Sequence, residues 1–424
     1  MTESSSWTAT FASGPREPAM LPERTDAAIV GAGYTGLSAA LALARRGVET
    51  TVLEAERVGS GASSRNGGMV LTGLKLGPDR LLRRYGERDA RALFNASLNA
   101  IDVLEGLIAA ERIDCDYSRP GHLEVACKQS HFEGLVRTQR VLDQVFGHCV
   151  RVLSRRELRE EIGSVIYAGA LLDERSGALD PYRYVLGLAE AARRAGAAVV
   201  EELAVARIER RGDGWLLETA RGQIRCKRIL LATGAYAGQE FRPLRRRFVP
   251  LGSYVIATRQ LPSELTRSLI PKGRMIFDTK RLLHYFRITP DSRVLFGGRA
   301  AFVPASEATT RRSAQVLHGD MVRTFPALHD VEVEYAWGGT LDVTFDLMPH
   351  AGEIDGCYYA TGYAGHGVAL ATLLGTLTAE AMIEQCPVRP FERSLPSAPL
   401  GLYSGRPWFL PLVGAWERFA DMVS

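Results

Sequence analysis

The sequence predicts an α/β protein, α+β overall, in which a discontinuous Rossmann-like dinucleotide domain is combined with an antiparallel β-sheet domain. Three observations carry this. A strand, glycine turn, helix and second strand follow one another over residues 26–54. A further strand, glycine turn and long helix occupy residues 357–383, and the block 249–344 between these signals is mostly β in pattern. Nucleotide-fold signals at both ends require the first and last segments to meet in space.

The elements follow in order. Residues 1–24 form a Pro/Ser-containing leader without a clear period. Residues 26–30 (DAAIV) read as a short buried strand, and 35–46 as an Ala/Leu-rich helix ended by Gly47. Residues 49–54 (ETTVLE) supply the second parallel strand. Helices are expected over 80–85, 89–110 and 131–146, with an alternating strand at 122–127 (HLEVAC). Asp180 and Pro181 suit the N-cap and first position of a helix that Gly196 ends, followed by a strand at 198–200. Turn-separated strands at 205–209, 215–219 and 223–227 lead to a buried strand, 228–232. The middle block offers strands at 252–258, 275–279, 282–289, 293–297 and 331–344, with one helix at 311–324. The expected division is a leader at 1–24, a cofactor domain from 25–78, 151–243 and 337–387, a substrate domain from 79–150 and 244–336, and a tail at 388–424 packed on the body.

Composition narrows the class. Hydrophobic residues make up 46% and charged residues 24%, and 52 basic against 48 acidic residues leave a net charge of +4. That balance suits a globular protein. The basic run 242–247 (RPLRRR) reads as a solvated face, so no nucleic-acid partner is expected. Six cysteines (Cys115, Cys127, Cys149, Cys226, Cys357, Cys386) form no CxxC pair, and read as reduced thiols of a cytoplasmic protein without a metal site. No secretory signal and no apolar run of about 18 residues is present, so no membrane span is expected. The stretch 408–422 is moderately amphipathic, and packing onto the body is expected.

Four motifs carry chemistry. In Gly31-Ala32-Gly33-Tyr34-Thr35-Gly36 the glycines permit a tight turn, backbone approach to a pyrophosphate, and close helix–strand packing. The helix start offers N–H groups to phosphate, and Glu54, followed by Ala55, can accept hydrogen bonds from a ribose diol. The loop 60–69 (SGASSRNGGM) contains Ser63, Ser64, Arg65, Asn66, Gly67, Gly68 and Met69. It could run under a flat ligand, or be a flexible surface loop. Thr233-Gly234 ends a strand in small residues. Residues 360–368 (ATGYAGHGV) set Gly365, His366, Gly367 and Val368 at the start of a helix that can stabilise developing negative charge. His366 reads equally as a structural histidine.

Together these segments resemble the D-amino-acid oxidase/glycine oxidase (DAO) superfamily of FAD-dependent oxidoreductases, with the gamma-glutamylputrescine oxidoreductase-like branch as the nearest likeness. The carrying residues are 31–36, the run 61–68 (GASSRNGG), 337–342 (WGGTLD) with Pro349, and 362–368 (GYAGHGV). The resemblance implies an FAD-binding domain, a β-sheet substrate domain over the flavin ring, and Val205 at the strand whose backbone meets adenine. It implies oxidation of a small amine or amino acid by hydride transfer to flavin N5, followed by imine hydrolysis. Some relatives attach FAD through a Cys or His. Asn66 and the Cys-free stretch 337–349 imply non-covalent FAD. Strand 293–298 lacks the Lys that sarcosine oxidases place near the flavin, so the acceptor is open between molecular oxygen, the expected one, and a quinone or carrier. An NAD-dependent dehydrogenase and a non-catalytic flavin scaffold are the competing classes.

For the substrate site the candidates are Tyr254, His284, Tyr285, Arg287 and Trp337, with His366 beside the ring. Strand alternation allows only one of His284 and Tyr285 to face it. Arg287 shares Tyr285's face, and could clamp a carboxylate or be a solvated edge residue. Asp342 is expected to be structural.

Overall fold

A computed structural model describes residues 1–11, 19–238, 241–298, 307–398, 403–405, 407–410 and 413. Two eight-stranded sheets organise them. The first has the spatial order His350–Ile354, Cys357–Thr361, Gly222–Leu231, Arg24–Val30, Thr50–Leu53, Ala198–Val200, with Gly214–Thr219 and Val205–Arg211 branching from Gly222–Leu231. Its centre is parallel, with Ala27 beside Thr50 and Leu230 beside Tyr358. Strands covered on both faces are continuously apolar, which is why DAAIV and RILLA show no alternation.

Helices Tyr34–Ala44, Pro181–Arg194 and Gly367–Glu384 pack beside this sheet in the main core. Asp180 caps the second by accepting from the Tyr182 and Arg183 N–H groups. A Cβ on Gly375 would lie 2.3 Å from the Thr35 carbonyl oxygen, so the first and last helices touch backbone to backbone. Thus the two ends of the chain do meet. Pro78–Glu111 is bent at Gly86, whose φ of 74° and ψ of 168° are not helical, matching the break expected there. Pro78–Glu111 and Gly367–Glu384 are long and apolar enough to cross a membrane by length and composition, and the latter is mostly buried in the core.

The second sheet has the order Val333–Thr344, Phe248–Thr258, Val294–Gly298, His284–Ile288, Met275–Asp278, His122–Ala126, Gly169–Asp173, Arg151–Ser154. Every pair in it is antiparallel except Met275–Asp278 with His122–Ala126, so the sheet is mixed. Its two faces belong to different cores. Leu123, Tyr254, Ile256, Phe286 and Phe296 pack on one side with Ala314, Leu317 and Met321 of helix Glu307–Thr324. Ala126, Leu171, Val255, Leu295 and Trp337 join the main core with the nucleotide-domain helices.

The sheets divide the chain differently from the sequence expectation. Arg151–Ser154 and Gly169–Asp173 pair into the mixed sheet, so residues 151–173 leave the expected cofactor segment. The five residues GALLD are all buried, which removes the alternation that would have marked them. Val333–Thr344 carries 337–344 into the same sheet. The leader is also structured: Thr2 bridges Tyr335, and Ser6–Thr10 forms a short helix with Trp7 only 3% exposed. In the tail, Val388 and Phe391 are buried and Tyr403 donates to the Phe248 carbonyl at 2.9 Å. Most of the amphipathic stretch 408–422 lies outside the described residues.

Candidate active site

The glycine turn is held on three sides. Gly31 has φ +106°, and a Cβ there would meet the Ala232 carbonyl oxygen at 2.8 Å. Thus the strand end at Ala232-Thr233-Gly234 lies against the turn. A Cβ on Gly36 would overlap the Gly31 oxygen at 2.0 Å, and one on Gly33 would lie 2.9 Å from Ser63 Oγ. The helix Tyr34–Ala44 starts at Gly33 without a side chain of its own to cap it. Ser63 Oγ accepts from the Tyr34 N–H at 3.1 Å, and the N–H groups that follow are those an anion would meet.

Glu54 ends the second strand. Its carboxylate accepts from the Ala32 N–H at 2.7 Å and the Glu56 N–H at 3.0 Å, and burial raises its pKa. Ala55 beyond it is exposed. Leu203 N–H donates to the Glu54 carbonyl at 2.8 Å, which brings the segment leading into Val205 alongside.

The loop 60–69 is built, not loose, which overturns the flexible-surface alternative. Asn66 Nδ2 donates to the Ala62 and Ser63 carbonyls at 3.0 and 3.1 Å, and its Oδ1 accepts from Gly68 N–H at 2.8 Å. Ser64 is buried, and its carbonyl accepts from Ser5 Oγ at 3.2 Å. Arg65 donates to the Ser60 carbonyl at 2.8 Å and the Gly338 carbonyl at 3.2 Å. Trp337 Nε1 donates to the Arg65 carbonyl at 3.1 Å. A Cβ on Gly67 would meet the Tyr285 ring at 2.9 Å. Gly68 has φ +65°, its carbonyl accepts from Arg287 Nη1 at 2.8 Å, and Met69 pairs with Ala178.

The C-terminal turn comes to the same place. Tyr363 Oη and Thr35 Oγ1 are hydrogen-bonded at 2.7 Å across 328 positions of chain. Gly362 and Gly365 take φ of 86° and 101°. His366 is the N-cap of Gly367–Glu384 with no side-chain capping bond, Gly367 packs 3.3 Å (as Cβ) from Tyr363, and Val368 is buried. His366 Nδ1 is buried and has no partner. Burial, with Lys75 nearby, pushes its pKa down to about 3, so the imidazole is neutral. Asp342 accepts from Thr361 Oγ1 at 2.8 Å and Gly362 N–H at 2.7 Å, the structural part expected of it.

The mixed sheet closes over this arrangement. Register places Glu124, Phe277, Tyr285, Gly297, Val255 and Trp337 in one row on the inner face. Arg287 lies on the same face, two residues from Tyr285. It is not an edge residue: it is 2% exposed, its guanidinium sits 5.5 Å from the Trp7 ring, and its Nε has no partner. Burial lowers its pKa to about 10.

Two candidates lie elsewhere. Tyr254 points into the outer core and donates to Thr309 Oγ1 at 3.0 Å, so its place among the substrate candidates is corrected. His284 also faces outward, with Asp278 at 3.3 Å and Asp320 at 3.1 Å. Alternation sends the 284/285 pair to opposite faces, and Tyr285 is the one on the inner face. Two groups on the inner side escaped the sequence reading. Trp7 is the first, with Nε1 donating to the Asn66 carbonyl at 3.0 Å. Glu124 is the second, and its signal was visible: a lone charge in the apolar strand HLEVAC, in phase with His122.

A glycine-turn nucleotide fold, completed by a second glycine turn and roofed by a mixed sheet, is the architecture of dinucleotide-dependent oxidoreductases. The family model described as FAD dependent oxidoreductase (DAO) matches residues 26–381. The chain belongs to this family, and it is an FAD-dependent oxidoreductase. It is 36% identical over 359 residues to the gamma-glutamylputrescine oxidoreductase of Escherichia coli K12, covering 84% of this chain and 83% of that one. It is 34% identical over 367 residues to the probable oxidoreductase OrdL of Haemophilus influenzae, covering 85% and 83%. The crystal structure of glycine oxidase from Geobacillus kaustophilus shares the fold, with a TM-score of 0.75 at 22% identity over 89% of this chain and all of that one. The residues fit FAD: the turn at Gly33 leaves room only where no Cβ stands, and two buried polar nitrogens, His366 Nδ1 and Arg287 Nε, have no partner.

Proposed function

We propose that this protein oxidises a small amine or amino acid at the carbon bonded to nitrogen, with molecular oxygen as the electron acceptor. The observation that carries the reading is the closure of the inner sheet face on the loop 60–69, with Tyr285 against Gly67 and Arg287 on the Gly68 carbonyl. The names of its relatives, gamma-glutamylputrescine oxidoreductase and glycine oxidase, agree with this substrate class.

Bound FAD supplies a hydride acceptor at N5. The N–H groups after Gly33, with Ser63, would hold the pyrophosphate, Glu54 would hold the ribose, and the backbone at Val205 the adenine. Thr233, Gly234 and Gly365 keep the backbone free of side chains along the cofactor's path. Neutral His366 and the helix start behind it would hold the flavin end of FAD and would favour negative charge there. Tyr285 and Trp337 exclude water from the reacting carbon. Arg287 positions Gly67 and Gly68. The attachment is non-covalent on this reading, since Asn66 stands where some relatives carry a linking His and the stretch 337–349 has no Cys.

The test is an anaerobic screen in which a panel of amines and amino acids is mixed with the yellow holoprotein. Bleaching by a member of the panel, with hydrogen peroxide formed in step with substrate loss in air, is the expected result. Bleaching with turnover only on an artificial acceptor would replace oxygen by a quinone or carrier, and bleaching by none would sink the reading. Acid precipitation should release all of the flavin.

A further inference from the structure

Most polar groups on the inner face of the mixed sheet are answered. Asp173 accepts from Thr72 Oγ1 at 2.6 Å and His148 Nε2 at 2.7 Å. His122 bonds to Ser176 Oγ at 2.8 Å and stacks on Phe277. Trp337 and Arg287 hold loop carbonyls. Glu124 differs. It stands between Leu171 and Phe277 in the Tyr285 row, and no hydrogen bond or ion pair reaches its carboxylate among the described residues.

Its surroundings are unusual for a carboxylate. Glu124 lies deep in the fold yet keeps some solvent contact, as do Tyr285 and His366, so none of the three is fully enclosed by protein. Lys75 is in electrostatic reach of both Glu124 and His366, which sets the carboxylate and the glycine turn around one region. Burial pushes the Glu124 carboxyl up to about 7. A carboxylate held this way costs stability, and leucine would suit the strand better. Structure alone therefore gives no reason for an acid at 124, whereas a cationic ligand does.

We propose that Glu124 is the specificity-determining residue for a cationic amine: its carboxylate pairs with a substrate ammonium group in the space between the Tyr285 row and the His366 turn. The inference rests on the amine-oxidising reading above and names the group that recognises the amine. A charge-assisted bond of this kind discriminates strongly against an uncharged analogue of the same shape, because the carboxylate is then left desolvated and unpaired.

The test uses the FAD-loaded protein and tert-butylamine, which has no hydrogen on the carbon bearing nitrogen and cannot be oxidised. Binding is read from the shift of the flavin absorption band and by calorimetry, with tert-butanol as the uncharged control. The wild type should bind the amine in preference to the alcohol. Glu124→Gln should weaken amine binding at least ten-fold and leave alcohol binding unchanged, with flavin content preserved. Glu124→Leu should lose amine binding equally while its Tm stays level or rises, which a structural role would not allow. Unchanged amine affinity in Glu124→Gln, or no preference for the amine in the wild type, overturns the inference. No turnover enters the titration. A protein that binds the amine through Glu124 but is bleached by no amine would refute the functional reading and leave the amine site standing.

Discussion

Along the strand His284–Ile288, Tyr285 and Arg287 face the cofactor domain, while His284 and Phe286 face the helix Glu307–Thr324. Adjacent residues of one strand thus serve two environments. Phe286 stacks on Phe296 with ring centroids 5.3 Å apart and meets Phe325 edge-on at 5.4 Å. His284 packs on the same Phe296 ring at 5.3 Å, and its two ring nitrogens are met by Asp278 and Asp320. One residue beyond Phe286, Arg287 keeps a buried Nε with no partner, and in the next strands Glu124 keeps a bare carboxylate. The outer face gives its polar groups partners, and the inner face keeps two that have none. Strained or unsatisfied groups concentrate where a ligand is to be met.

Substitutions can break this contrast, beginning with the largest effect. Gly33→Val places branched carbon where a bare Cβ already lies 2.9 Å from Ser63 Oγ. The purified variant should be folded by circular dichroism and colourless, with essentially all FAD lost; a fully yellow variant would refute the pyrophosphate path. On the outer face, Phe286→Ala should cost about 3–5 kcal/mol in denaturant unfolding. The fraction that remains folded should bind FAD as the wild type does.

Asp173 sharpens the comparison by pH, since it is an inner-face acid that does have partners. Burial alone would raise its pKa, but the bond from His148, with His122 and Thr72, holds it at about 2. A folded value below the ordinary one of about 3.9 means stability that is fully present above pH 4 and lost as pH falls toward 2. The loss should approach about 2.6 kcal/mol, and Asp173→Asn should flatten that acid limb of the unfolding curve. The smallest effect belongs to Tyr254→Phe, which removes only the bond to Thr309. It should cost about 1 kcal/mol and leave the amine KM unchanged, because the hydroxyl lies on the far side of the sheet.

Much of the fold could be read locally. The turn at Gly31 and the helix behind it are dictated by short-range geometry, and Asp180-Pro181 is a complete helix start in two residues. Gly169–Asp173 was not legible, because burial on both faces leaves no period to detect. The leader defeated sequence reading for a different reason. Its order comes from Trp7 reaching the Asn66 carbonyl and the Arg287 guanidinium, contacts no local pattern encodes. At the site, alternation gave the parity of each strand but not which parity faced the loop 60–69. Tyr254 and Tyr285 each lie in a strand of the right sheet, and only the contact of Tyr285 with Gly67 fixes the phase. Glu124 was visible as a lone charge, but its lack of a partner is a tertiary fact.

The hydrogen bond between Thr35 and Tyr363 also has a consequence for synthesis. A ribosome makes the chain from the N-terminus, so the glycine turn emerges 328 residues before the side chain that ties it to its second half. Part of the apolar surface of helix Tyr34–Ala44 stays uncovered until Gly367–Glu384 is translated. The pairing of Thr2 with Tyr335 waits nearly as long. Non-local contacts of this span make folding slow and expose intermediates to aggregation. Until Gly367–Glu384 has been made, the glycine turn therefore lacks the second half that its Thr35–Tyr363 bond ties to it.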